Sequence, residues 1–425
     1  MMHKLILILV LAASPMLAEN FELFGLNKQR TNYSPETGFN PAKFKLKWRV
    51  YIQETNREQL IVADGKVFLR TLENHVYAFD TSDGSLVWKH RMEVRSQGTF
   101  EYNHSLFYYN GLLGFKSYYR KDPELTIVRA ATGEVKWKKG DAYSSSAQSL
   151  KTSCVGHMGY ILASGRSTTL DTACWYGIDS ATGSNVLFRV KIHMGAGYQR
   201  NFVGAIVVDP DNDSLIYAGY GNFEHVAGNK WGAFCYNIFS KNFVWHYNES
   251  SGAGELANSG SLALYNDTLL IVGYNKIYLV NRNNGAIFKT FPNMGDGEGG
   301  NYWVVTPQYY VMGDYGGNDV HVFSHDGTLI RSSKRSTVEM SQGSGCCHPF
   351  VVGEYAFRVC GNLGMNDLRG ARMGIFKLQA IVEDNPSDMV AFAWQGRQHL
   401  CSGHAFANGK YFVCGSDGYL YCFGE

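Results

Sequence analysis

Beyond its first residues this chain lacks any long hydrophobic run. No segment after residue 18 approaches the about 18 consecutive apolar residues that a membrane-spanning helix needs, so the expectation is a soluble chain without a membrane span. An excess of charge of one sign is missing as well. Thirty-nine Lys and Arg face 37 Asp and Glu, for a net charge of +2, with no basic run and no acidic tail. That balance favours neither nucleic acid nor an anionic membrane surface as a partner. The nine cysteines show no zinc-site spacing, and the sequence has no C-x-x-C-H for covalent haem. What is plentiful is 47 Gly, 27 Tyr and 25 Phe, a strand-forming composition broken by many turns.

Residues 1–18 read as a secretory signal. His3 and Lys4 precede the apolar run Leu5–Ala13, and Ala18 offers a small residue for cleavage. The run is too short to span a bilayer; the alternative is a buried N-terminal strand. Cleavage there leaves no cysteine at the new N-terminus, which argues against a bacterial lipid anchor. The expected location is secreted or periplasmic, where oxidising conditions invite disulfides.

One phrase organises the rest. It is clearest as HVYAFDTSDGSLVWKHR, residues 75–91: an alternating strand, Asp80, a turn at Gly84, and a second strand with Trp88 four residues later. It returns with Gly133 and Trp137, with Gly183 and Leu187, and more weakly around Gly285 and Gly327. The turn glycines are 49, 50, 102 and 42 residues apart, and the long gap holds a degenerate copy, FCYNIFSKNFVWHY, ending in the Trp245 strand. A repeat of 40 to 60 residues made of strands and turns predicts a radial array of small sheets. The expected fold is all-β, an eight-bladed β-propeller of four-stranded antiparallel blades. Its last repeat supplies only three strands, and KLKWRVYI, residues 45–52, reads as an orphan outermost strand. Pairing the two closes the ring and removes an aggregation-prone edge. The expected organisation is a signal at 1–18, an arm at 19–44 and the propeller at 45–425. Five tryptophans, Trp48, Trp88, Trp137, Trp245 and Trp394, fall on outermost strands and are expected to pack between blades.

YAFDTSDGSLVW and GKYFVCGSDGYLYCF resemble the pyrroloquinoline quinone (PQQ) repeat, and TNYSPETGFNPAKFKLKWRV resembles the segment before the first blade of such proteins. The resemblance implies the propeller fold over nearly the whole chain after the signal. It says less about function, because the repeat marks blade packing. The superfamily includes quinoprotein alcohol dehydrogenases, which bind PQQ and calcium in a central funnel. It also includes the outer-membrane assembly lipoprotein and other propellers without a cofactor.

Function is expected on the face built by the loops leading from each outermost strand to the next blade, joined by the second-to-third-strand loops. Cys346 and Cys347 lie there. They are read either as a vicinal disulfide, which the resemblance implies would lie against PQQ opposite Trp303, or as part of a structural bridge. Cys347 and Cys360 are 13 residues apart across a predicted hairpin, and so are Cys401 and Cys414; Cys154 and Cys174 form a third candidate pair. Cys235 and Cys422 fall in the small-residue slot of Ala78 and are expected to be free. For calcium and PQQ the residues of suitable type are Asp296, Glu298, Asp367 and Arg369. His157, His348 and His404 recur near predicted inner-strand starts, as a possible metal cluster or as strand-end caps. Asp209, Asp211 and Asp213 imitate the start of a calcium loop, but Ser214 and Tyr220 stand where Gly and Glu are needed, so a hairpin tip is expected. Sequons occur at Asn32, Asn103, Asn212, Asn248 and Asn266.

Two functions remain open at this point. The first is an exported propeller without a cofactor, binding a protein or glycan on the loop-rich face. The alternative is a PQQ- and calcium-dependent dehydrogenase acting on an alcohol or sugar.

Overall fold

The computed structural model describes residues 21–425 apart from short gaps (24–25, 55, 57–58, 72, 74, 274–275, 384, 386–389, 416) and the loops 93–105, 117–123, 141–153, 167–171, 194–200, 223–230, 250–261, 293–301, 314–319, 334–348, 361–371 and 396–402. Strands alternate with tight turns throughout, and they pair into eight antiparallel sheets in chain order, the blades of a propeller. Blade one runs from Ile61–Ala63 through Lys66–Arg70 and His75–Asp80 to Leu86–Arg91. Blade eight takes His404–Ala407, Lys410–Cys414 and Tyr419–Gly424 from the C-terminus. Its outermost strand is Lys45–Tyr51 from the N-terminus, in register Trp48↔Cys422 and Tyr51↔Tyr419. The ring is therefore closed by the N-terminal strand.

The repeated phrase has a physical cause. The glycine of one blade and the tryptophan of the preceding blade touch each other. Gly84 lies over the Trp48 ring, Gly133 over Trp88, Gly183 over Trp137 and Gly285 over Trp245. A Cβ on any of these glycines would come within 2.6 or 2.7 Å of a ring atom. Each indole N–H then donates to a carbonyl in the same turn: Trp48 to Thr81, Trp88 to Ala130, Trp137 to Ser180 and Trp245 to Arg282. Directly across the ladder from three of the rings stands a small side chain, Ala78 opposite Trp88, Cys235 opposite Trp245 and Cys422 opposite Trp48; Trp137 faces Ile127. Both cysteines are buried free thiols, as expected, and burial pushes each up to about 12.

The boundary between blades three and four departs from the rule in both partners at once. Blade three has Leu187 in the tryptophan position, and blade four has Lys241, at φ +60, where the glycine belongs. With no indole in that slot, a side chain on the turn is tolerated. A different tryptophan joins these two blades. Trp175 donates to the carbonyl of Gly204 at 3.1 Å and meets the Phe234 ring edge-on at 4.9 Å. At the boundary between blades five and six, Phe291 replaces tryptophan beneath Gly327. Trp394 lies on the outermost strand of blade seven, Val390–Gln395.

The disulfide expectations need correction. Cys154 and Cys174 are both buried and free. Cys174 pairs with Gly165 on the second strand of blade three while Cys154 precedes the first, so a whole strand separates them, too far for a bridge. Equal spacing also misleads in blade eight. Its turn sets Ala407 opposite Lys410, which brings Gly403 rather than Cys401 against Cys414. Cys414 is a buried free thiol, and Cys401 lies outside the described residues.

Gly65 and Gly133 both adopt left-handed φ, +69 and +73, but a Cβ on Gly65 meets nothing within 4 Å. Gly65→Ala is expected to cost about 1–2 kcal/mol from backbone strain. Gly133→Ala should cost about 1–3 kcal/mol more, from overpacking against Trp88. Urea unfolding of the two variants measures the difference, and equal losses would remove the ring from the explanation. Trp88→Ala, at a site 7% exposed, should cost about 3–5 kcal/mol.

Candidate functional site

In a propeller the innermost strands surround a channel, and here the chain itself enters it. Phe21 exchanges two backbone hydrogen bonds with Val62 of blade one, and Glu22 accepts from Tyr108 of blade two. Lys28 accepts from Val208 of blade four, Gln29 from Leu264 of blade five and Thr31 from Val305 of blade six. Asn32 and Ser34 accept from Val351 and Gly353 of blade seven, where Tyr33–Ser34 adds a short parallel strand. The Glu36 carboxylate accepts from Gly409 of blade eight, and Phe39 packs on Phe406 at 4.5 Å. The arm thus bonds in turn to the inner strands or inner hairpins of seven blades. Fifteen residues span at most about 50 Å, which limits a circle to about 16 Å across, so the arm lies within the ring. Left-handed φ at Leu26, Arg30 and Asn32 bends it. Its partners sit at the ends of the first strands, beside the first-to-second-strand hairpins. The described part of the arm therefore lies at that end of the channel.

The arm brings polar groups into the centre. Arg30 is 5% exposed, donates from Nε to the carbonyl of Ile206 at 2.9 Å, and is lowered by burial to about 9. Asn32 donates to the carbonyl of Trp303 at 2.7 Å, so this sequon's side chain is engaged in the fold. No signal in the sequence marked the arm in this role, since it has no hydrophobic period and belongs to no repeat.

Of the residues named for PQQ and calcium, Trp303 is described. It is the second residue of the inner strand of blade six, Tyr302–Val305, and is 2% exposed, packed among Phe291, Phe323 and Tyr310. No face of the ring is open for stacking. Cys346, Cys347, Asp296, Glu298, Asp367 and Arg369 lie outside the described residues, as does His348. Cys360 closes the second strand of blade seven, Tyr355–Cys360. The other two histidines do not converge. His157 ends its inner strand and bonds the carbonyl of Asp213 at 2.7 Å, whereas His404 begins its strand and bonds Tyr411 at 2.8 Å. They stand at opposite ends of the channel. No group of metal-binding side chains occurs among the described residues. The segment 209–213 is a hairpin tip, as expected. Asp209 caps it by accepting from the N–H groups of Asp211 and Asn212 and from Tyr217, and Arg282 of blade five reaches Asp211 at 2.6 Å and Asp267 at 3.1 Å.

A second polar cluster lies where the closing strand hands over to blade one. Glu54 accepts from Thr71 at 2.6 Å, Tyr77 at 2.7 Å, His75 at 3.0 Å and Lys89 at 3.1 Å. Every donor converges on one carboxylate, which makes this a clamp on ring closure. Burial pushes the Glu54 carboxyl up, but the hydrogen bonds from Thr71, Tyr77, Lys89 and His75 outweigh it and hold the group below its ordinary value of 4.5.

The sequence between residues 36 and 194 matches a family model described as outer membrane protein assembly factor BamB. No curated protein matches the chain. Among solved structures, the quinohemoprotein alcohol dehydrogenase from Comamonas testosteroni is similar at 12% identity, with 96% of this chain and 80% of that one covered and a TM-score of 0.70. A europium-containing methanol dehydrogenase is similar at 12% identity, with 96% and 98% covered and a TM-score of 0.65. BamB from Moraxella catarrhalis is similar at 12% identity, with 90% and 100% covered and a TM-score of 0.58. At such identity the structural likeness shows the fold alone. The family match and the eight-bladed ring together support the PQQ-repeat propeller superfamily. No helix among the described residues is long and apolar enough to cross a membrane.

A carboxyl with a depressed folded pKa contributes stability that is present above the unfolded value and lost as pH falls through the folded one. Glu54→Gln should therefore lower the melting temperature at neutral pH. The gap to the unchanged protein should narrow as pH drops below about 4.5. A gap independent of pH in melting curves would show that the clamp does not depend on the charge.

Proposed function

We propose that this PQQ-repeat propeller is an exported scaffold without a cofactor, which presents its loop-rich face to a protein partner. The observation that carries the reading is the enclosure of Trp303. It is the one described residue of the cofactor set, and its ring is spent on packing between blades five and six. A flat tricyclic cofactor needs an open aromatic or disulfide wall, and this residue does not fit that task. The family description, an assembly factor, agrees with a binding role. The arm supports it further. It places the protein's own backbone at the hairpin end of the channel, which favours the loop-rich face as the place for a partner.

Blade seven adds a bracing element to this reading. The register Phe350↔Phe357 and Val352↔Tyr355 is the one that a Cys347–Cys360 bridge requires. Non-reducing peptide mapping of the exported protein should find Cys360 joined to Cys347. A Cys346–Cys347 linkage with Cys360 alkylatable would overturn the bridge.

The decisive test adds PQQ and calcium at micromolar concentration. No rise in melting temperature is expected, and no dye reduction with primary alcohols or sugars. A ligand that binds only the native state raises its stability, so a clear shift that disappears in Trp303→Ala would establish the dehydrogenase reading instead.

A further inference from the structure

The near-neutral net charge conceals a division that only the order of blades exposes. The outermost strands of blades eight, one, two and three read KLKWRVY, LVWKHR, VKWKKG and VLFRVKIH. They hold ten Lys and Arg and no Asp or Glu. Those of blades four to seven read NFVWHYNE, IFKTFP, LIRSS and VAFAWQ, with two cations and one Glu. Because consecutive blades are neighbours in the ring, the cations form one continuous arc over half the rim. Two of these cations have carboxylate partners within their own region of the ring, Lys89 with Glu54 and Lys138 with Glu124. Apolar side chains stand among the cations, with Leu46 48% exposed, Tyr51 58% and Leu86 55%.

We propose that this basic arc is a docking surface for an acidic protein segment, independent of whatever the loop-rich face binds. Three features choose that occupant. The arc curves around half a circle, so a flat anionic bilayer meets only a blade or two at once. Single-stranded nucleic acid takes a succession of aromatic platforms, whereas the exposed apolar side chains here are mostly aliphatic. An extended chain of Asp and Glu interspersed with Leu or Val satisfies both the cations and the apolar side chains. It also meets outermost strands, each at the edge of its sheet, the position at which an added strand pairs.

The test uses the full exported chain and a fluorescein-labelled peptide of about twelve alternating Glu and Leu residues, read by anisotropy at low ionic strength. Two variants alter the arc in separate blades, Lys45→Glu with Lys47→Glu and Lys136→Glu with Lys138→Glu. A third, Lys276→Glu with Lys289→Glu, changes charge equally in blade five. Melting curves establish that each is folded. The expected result is salt-sensitive binding that weakens at least about tenfold in each arc variant, the size that loss of charge complementarity produces, and by less than about twofold in the blade-five variant. Equal weakening in all three, or no peptide binding, would overturn the proposal. So would single-stranded DNA or phosphatidylglycerol vesicles binding more tightly than the peptide with the same dependence on the arc. A negative result here leaves the PQQ test untouched, so the two readings fail separately.

Discussion

The interaction on which the structure depends is the contact between an outermost-strand indole and the turn glycine of the next blade. A blade by itself is a small sheet with two faces to bury, and the contact supplies both the packing and a satisfied indole N–H. It fixes two residue types at once. The turn must be glycine because a Cβ would enter the ring, and at three of the four tryptophans the residue across the ladder is small, whereas Trp137 faces Ile127. Covariation within the molecule confirms the logic. Where blade four puts Lys241 in the turn, blade three has Leu187 in place of tryptophan, and Trp175 joins the two blades instead.

A closed ring of such contacts still leaves the inner edge of every blade facing the channel with unpaired backbone groups. Burying those groups without partners is costly. The arm answers that need at one end by hydrogen bonding to seven blades in turn. The N-terminal region therefore serves twice, once as a hub at the axis and once as the closing strand at the rim. Glu54 sits at the passage from the closing strand to blade one and ties the handover with four donors.

This division of labour separates scaffold from chemistry. On the hairpin side His157, Arg282 and Asp209 are committed to holding neighbouring blades together. Trp303 is drawn into the same packing. Surface character resides on the outermost strands, where alternate side chains point to solvent and can vary without disturbing the contacts beneath.

The sequence by itself determined the number of blades, the closing strand, the role of Trp48, Trp88, Trp137 and Trp245, and the fate of Cys235 and Cys422. Each of these depends on a local period: strand alternation, a left-handed turn, and a fixed step from glycine to tryptophan. What failed were statements about distance across strands. A spacing of 13 residues looked the same in blades seven and eight, yet the turn of blade eight shifts the register and takes Cys414 away from Cys401. His157 and His404 looked alike in sequence but occupy opposite ends of their strands. The path of the arm could not be read at all, because its partners are hundreds of residues away and its own residues have no period. Only the tertiary structure decided that path, and only the ring order gathered scattered lysines and arginines into one arc, since charge proximity depends on which blades are neighbours and not on the average composition of the chain.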